Sequence, residues 1–361
     1  MSTSPLSFWS SVGLVADREI RAKLRSKAFV ISALILVLGV LASIVIGSIA
    51  SQNTSDIPVA VVQGTPDVLG GVDGVDATTV GSTGEAEQLV RDKKVDAALV
   101  PDSGQLGYRV IALDSTPDTL VSLLSVRPAV DLLEPAPTNE LLVYLVALGF
   151  GLIFFVSAIT FGATIAQSVV EEKQTRVVEL LISAIPARAL LAGKVIGNSV
   201  LALAQIVVIA IVATAALALT GQQNLLTSLG PSVLWFIAFF AVGFVLLAAI
   251  FAASAALVSR QEDVGSVTSP VTMLVMIPYF LIVFFNDNEL VLGIMSYVPF
   301  SAPVGMPMRI FLGTAQWWEP LLSLAIVVAT TAGAVLLGAR IYENSLLRMG
   351  GRVKLGDAIR G

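Results

Sequence analysis

Six stretches of this chain, residues 28–50, 141–166, 195–220, 232–258, 264–285 and 320–339, run for 20 to 27 residues without one charged side chain. Each is long enough to cross a hydrocarbon core of about 30 Å, which takes about 20 helical residues. A bilayer offers no water to a loose N–H or C=O, so runs of this length must close their hydrogen bonds within themselves, as helices. The predicted fold class is therefore an α-helical polytopic membrane protein with six transmembrane helices. Composition agrees, since 13% of the 361 residues are charged where soluble domains carry about a quarter.

Residues 264–285 contain Pro270 and Pro278, which a bundled helix tolerates where neighbours take up the freed carbonyls. A seventh uncharged stretch, residues 290–308, carries Pro299, Pro303 and Pro307 together with Gly293 and Gly305. It is expected to form part of a re-entrant or interfacial segment, residues 290–313, rather than a span. The first run follows a basic segment, residues 1–27, with Arg18, Arg21, Lys23, Arg25 and Lys27. A cleavable signal has an apolar core of only about 7–15 residues, so an uncleaved anchor is expected. Six spans put both termini on one side. That side holds 15 of the 21 Lys and Arg residues, five of them before the first span and five after the last, from Arg340 into a tail over residues 342–361. The positive-inside bias makes it the cytoplasm of a cell whose plasma membrane the chain crosses.

Residues 51–140, between the first and second spans, hold 14 acidic against 5 basic residues, which explains an isoelectric point near 4.9. They read as an extracytoplasmic mixed α/β domain. Residues 57–63, 97–100 and 108–113 are strand-like, residues 84–95 and 117–133 have helical spacing, and residues 64–74 form a Gly- and Asp-rich loop. The acidity is expected to serve solvation rather than cation binding. No metal site is expected anywhere: Cys and His are both absent, which excludes disulfides, thiolate nucleophiles, haem and zinc ligation and imidazole acid–base chemistry. Nucleic acid is not expected as a partner; the lipid bilayer is.

Between the second and third spans, residues 168–194 are too charged to span and too apolar for a free loop. Ser168 with Glu171 fits a capping box. Glu172, Arg176 and Glu179 follow at i, i+4 and i+7 as one polar stripe, with Val177, Val178, Leu181, Ile182 and Ile185 covering the rest. The expectation is an amphipathic surface helix over residues 168–186, ended by Pro186, with Gly193 and Gly197 then spaced for close packing. From the residues alone this is equally an interfacial tie between two spans or a docking surface.

The run EEKQTRVVELLISAIPARALLAGKVIG resembles the signature of type-2 ABC exporter permeases, on the sodium-efflux NatB branch. YVPFSAPVGMPMRIFLG, residues 297–313, and RIYENSLLRMGGRVKL near the C-terminus carry the resemblance further, as does the order of one span, a large external domain and five spans. The resemblance implies a transport subunit without catalytic residues or cofactors of its own. ATP and Mg would sit on a separate ABC ATPase, and a second permease subunit, in a homodimer, would complete the path. No phosphate-binding loop is found here: at Gly193-Lys194, Arg188 stands where the first glycine belongs and Val195 where Ser or Thr belongs. It also implies that residues 168–186 are the helix that couples ATPase closure to the spans, through Glu171, Glu172, Lys173, Arg176, Glu179 and Pro186.

Other classes fit less well. An intramembrane enzyme or an ion-coupled secondary transporter needs ionisable groups within the bilayer, and none of the six runs has one near its centre. Ser157, Thr160, Thr164 and Gln205 are expected to bond between helices. A membrane sensor with an external ligand-binding domain is the alternative function. Asp287, Glu289, Pro299, Pro303 and Arg309 flank or lie in the re-entrant segment as an outer gate, the plainer reading being an interfacial zone anchored by Trp317 and Trp318. As cargo, sodium follows from the resemblance, while a seam without charge equally fits an amphiphilic drug, lipid or peptide.

Overall fold

A computed structural model describes residues 7–52, 57–69, 74–104, 106–113, 120, 121, 124, 140–346, 348 and 353–360. These divide into two compact units, residues 45–135 and the remainder. Six helices are long and apolar enough to cross a membrane, so the chain is a multi-pass α-helical membrane protein with a small α/β unit between its first and second spans.

The helical unit begins with α1 (Phe8–Arg25) and α2 (Lys27–Gln52). After the α/β unit come α4 (Glu140–Gln174), α5 (Val177–Ala184), α6 (Ala187–Leu219), α7 (Gln223–Ala256) and α8 (Val264–Phe284). Two short helices, α9 (Glu289–Met295) and α10 (Ala302–Phe311), precede α11 (Glu319–Leu346) and α12 (Leu355–Arg360). Five of the six spanning helices are longer than their uncharged stretches, because hydrogen bonding from residue to residue does not stop where the side chains turn polar. Residues 290–308 form two helices too short to span. Phenylalanines line the contact of α4 and α7, where Phe150 meets Phe236 and Phe154 meets Phe240 with ring centroids 4.9 and 5.9 Å apart.

The extension of α4 corrects the expected surface helix. Ser168 caps nothing: residues 168–174 are the last two turns of a helix that starts at Glu140, and Val169 and Val170 are fully buried in its core contact. The proposed stripe of Glu172, Arg176 and Glu179 is therefore split between α4, a turn and α5. The described residues near each terminus are packed as well. Residues 8–25 form a helix packed on α6, through contacts given below. The last span runs through Tyr342 and Ser345, both fully buried, and Val353 donates its N–H to Leu257 O at 2.9 Å.

In the α/β unit, β1 (Ile57–Val62), β2 (Val75–Val80), β3 (Ala97–Pro101) and β4 (Tyr108–Ala112) form one sheet in the order β2-β1-β3-β4. β1 is parallel to β2 and β3, while β3 and β4 are antiparallel. Ala98 and Val100 face the helix α3 (Thr83–Arg91) with Ala86 and Val90; Ala97 and Leu99 face Leu120 on the other side. α3 starts at Ser82, whose hydroxyl accepts the N–H of Glu85, near the expected position. β2 was not foreseen, because VDATTV has the polar pattern of an edge. Of the helix expected over residues 117–133, only 120, 121 and 124 lie within the described residues.

Candidate functional site

Gly193 and Gly197 sit one turn apart on α6, and their missing side chains decide what can approach. A Cβ on Gly193 would stand 2.4 Å from Val15 Cβ and 3.0 Å from Val12 O; one on Gly197 would stand 2.9 Å from Ala16 O. The backbones of α1 and α6 therefore touch, as small residues at this spacing allow. One turn beyond Val15 and Ala16, that approach brings Glu19 against Lys194.

Lys194 is fully buried. Its ammonium lies 3.1 Å from Glu19 Oε1 and 3.0 Å from Glu172 Oε2, and it donates to Ser168 Oγ. Arg18 closes the set, with Nη2 3.1 Å from Glu19 Oε1 and bonded to Glu172 Oε1. Two cations and two carboxylates from α1, α4 and α6 thus neutralise one another. Burial alone would raise the pKa of Glu19, but Lys194 and Arg18 hold its carboxyl below the usual range.

Lys173 points elsewhere. Its side chain is fully buried, and Nζ donates to Ala256 O and Ser345 O, each at 2.8 Å. Those are last-turn carbonyls of α7 and α11, where a helix leaves acceptors unpaired and carries partial negative charge. A lysine needs no carboxylate there. Adjacent residues of α4 therefore tie it to four other helices: Glu172 to α1 and α6, Lys173 to α7 and α11.

Immediately after this joint the chain turns out. Arg176 adopts a left-handed backbone, φ 58°, a conformation that costs a non-glycine residue about 1–2 kcal/mol, and α5 follows. Val178 is buried while Leu180 is 74% exposed, and Glu171, Arg176, Val177, Glu179 and Pro186 are exposed beside it. So the six residues expected to couple separate into two groups. Glu172 and Lys173 are internal ties, and the other four border an exposed elbow. Sequence reasoning missed Arg18, Glu19 and Lys194. The signal was available in α1, where Ser11, Val12, Val15 and Ala16 mark one helix face on which Glu19 falls next.

At the other end of α11, Arg309 and Glu319 form a local clamp. Arg309 Nη2 lies 3.0 and 2.8 Å from the two Glu319 oxygens, and Nη1 donates to Ser296 Oγ at 3.1 Å. Glu319 also accepts from Tyr297 OH at 2.8 Å and from the N–H of Gln316 at 2.7 Å. Both side chains are nearly buried, 13% and 11% exposed. The five residues expected at an outer gate are not brought together: Asp287 and Glu289 are exposed, with no ion pair among the described residues, and Pro303 packs against Gly243 of α7. Thr164 bonds Thr160 O within its own helix rather than a neighbour. Among the described residues there is no metal-binding group of His, Cys, Asp and Glu.

Residues 111–340 match the family described as "ABC-2 family transporter protein". The chain is 28% identical over 232 residues, 60% of its length, to the uncharacterized protein YhaP of Bacillus subtilis, and covers 55% of that protein. It is 26% identical over 205 residues to the uncharacterized protein MJ1024 of Methanocaldococcus jannaschii, 56% of this chain and 50% of that one. The chain thus spans about half the length of these relatives. No solved structure matches it.

Proposed function

The chain belongs to the ABC-2 transporter family, and from that premise we propose that it is the permease of an ATP-driven exporter, coupled at the Lys194 end to a separate ATPase. The observation that carries this reading is the exposed elbow at α5, joined directly to Glu172 and Lys173. A partner pressing on Arg176, Glu179 and Leu180 moves the end of α4, and with it the four helices that α4 holds. A rigid joint behind a strained, exposed turn is a mechanical arrangement suited to passing a domain closure into spans.

In this reading the Lys194 end is cytoplasmic, as the positive-inside bias supports, and ATP with its Mg belongs to the partner. Two copies of the chain complete the path. The sodium-efflux resemblance supplies sodium as one cargo class; a bundle interior of Phe, Ala and Val supplies an amphiphile as the other.

The test is co-expression with its ATPase and reconstitution in proteoliposomes. Glu179→Lys with Leu180→Glu should abolish ATPase co-purification and transport while insertion is kept, and Glu289→Lys at the other end should change neither. Normal co-purification in the elbow variant would overturn the coupling role. Comparing sodium with amphiphiles in the wild type separates the cargo classes. Since the chain has no cysteine, Gln174→Cys and Ser82→Cys report sidedness without background: an impermeant thiol reagent added outside cells should label the second and spare the first.

A further inference from the structure

At the same end as the joint, a cleft of about 430 Å³ opens between the start of α6 and the end of α11, lined by Arg188, Leu336, Ala339, Arg340, Glu343 and Asn344. We propose that it binds the headgroup of an anionic phospholipid, with the acyl chains lying along Leu336 and Leu337.

Charge supports this first. Arg188 gives only its Nε to Glu343 Oε1, at 2.7 Å, which leaves the outer nitrogens of a planar fork suited to phosphate. Arg340 is exposed and has no hydrogen bond or ion pair among the described residues. The cleft therefore keeps one positive charge beyond its internal pair.

Depth supports it independently. Arg340 lies 21 residues after Glu319 on one continuous helix, about 32 Å at 1.5 Å per residue, which is one hydrocarbon thickness. If Glu319 marks one boundary of the hydrocarbon, Arg340 marks the other. Leu336, 74% exposed, and Leu337, 46% exposed, then fall one turn inside it, where acyl chains are the available apolar medium. A guanidinium at the boundary above exposed leucines matches an amphiphile with a phosphate head, whereas a soluble anion has no use for the leucines.

The experiment is native mass spectrometry of the purified full chain from nanodiscs of equal phosphatidylglycerol and phosphatidylcholine. Wild type should retain phosphatidylglycerol preferentially, Arg188→Gln and Arg340→Gln should each weaken retention about fivefold, and the pair should abolish the preference. Arg260→Gln removes the same charge from an exposed site at this end and should leave retention intact, which separates a built cleft from general positive charge. Glycerol 3-phosphate in excess should not displace the lipid. Equal retention of the two lipids, an unaltered double variant, equal loss in Arg260→Gln, or displacement by the tail-less phosphate would each overturn the proposal. So would a double variant that loses its ATPase instead of its lipid, since the cleft would then serve the protein partner. Arg340 has no internal bond to lose, so Arg340→Gln gives a folded variant in any case. This inference does not depend on α5, and the elbow variant Glu179→Lys with Leu180→Glu should retain lipid normally.

Discussion

The two ends of α11 solve the same electrostatic problem differently. At Glu319 the ion pair joins residues ten apart, with Tyr297, Ser296 and Gln316 from the same stretch completing its bonds. At Lys194 the partners come from positions 19, 168 and 172, up to 175 residues away, with Arg18 bonded to the same two carboxylates, and Lys173 beside them reaches Ser345. The first cluster can form as soon as its own segment folds. The second exists only when α1, α4 and α6 are all in place. A local clamp stiffens one corner; a joint of distant elements makes the position of one helix depend on the others.

That contrast yields a graded set of expectations. Lys194→Met should have the largest effect, because it leaves two buried carboxylates with Arg18 alone: loss of one partner of a buried pair costs about 3–5 kcal/mol, read as a large fall in melting temperature in detergent. Combining it with Glu19→Gln should recover part of the loss, and a fully additive double variant would break the claim that the two charges are coupled. Gly193→Val should follow, at about 1–3 kcal/mol for overpacking, since the new side chain must displace Val15; enhanced proteolysis of residues 8–25 reports the detachment of α1. Glu319→Gln should fall in the same range, about 1–3 kcal/mol, and should leave α1 protected.

Acid should also test the joint. The Glu19 carboxyl is held below its ordinary range, so its stabilisation is complete at pH values above the unfolded pKa of about 4.3 and is lost as the pH falls through the lower folded value. Melting temperature measured downward from pH 6 should therefore drop in the acid limb, and Glu19→Gln should flatten that limb while lowering the plateau. An unchanged limb in Glu19→Gln would show that the joint does not set the acid response. Asp287→Asn and Glu289→Gln, exposed and unpaired among the described residues, should shift stability by no more than about 0.5 kcal/mol.

Some of the elbow was legible beforehand. Pro186 ends the segment before α6 as expected, because a proline cannot continue the preceding helix, and Gly193 and Gly197 announced a close contact. What contacts them was not legible: nothing in a glycine spacing names Val15 and Ala16 as the partner surface. The stripe drawn through Glu172, Arg176 and Glu179 failed because helical periodicity assumes an unbroken helix. The left-handed turn at Arg176 has neither glycine nor proline to signal it.

By itself the sequence determined the solvent and the count. Six uncharged runs admit only helices, since an apolar medium leaves no other way to pair the backbone, and the strand pattern of residues 57–113 could be placed between the first two of them. Tertiary structure alone decided which charges are buried and with whom. Lys173 and Lys194 look alike in sequence, as basic residues near the edge of a span, yet one satisfies the spare carbonyls of two helix ends and the other two carboxylates. A charge is tolerated inside a protein only where partners converge from several elements, and convergence is a property of the packed chain, not of any window along it.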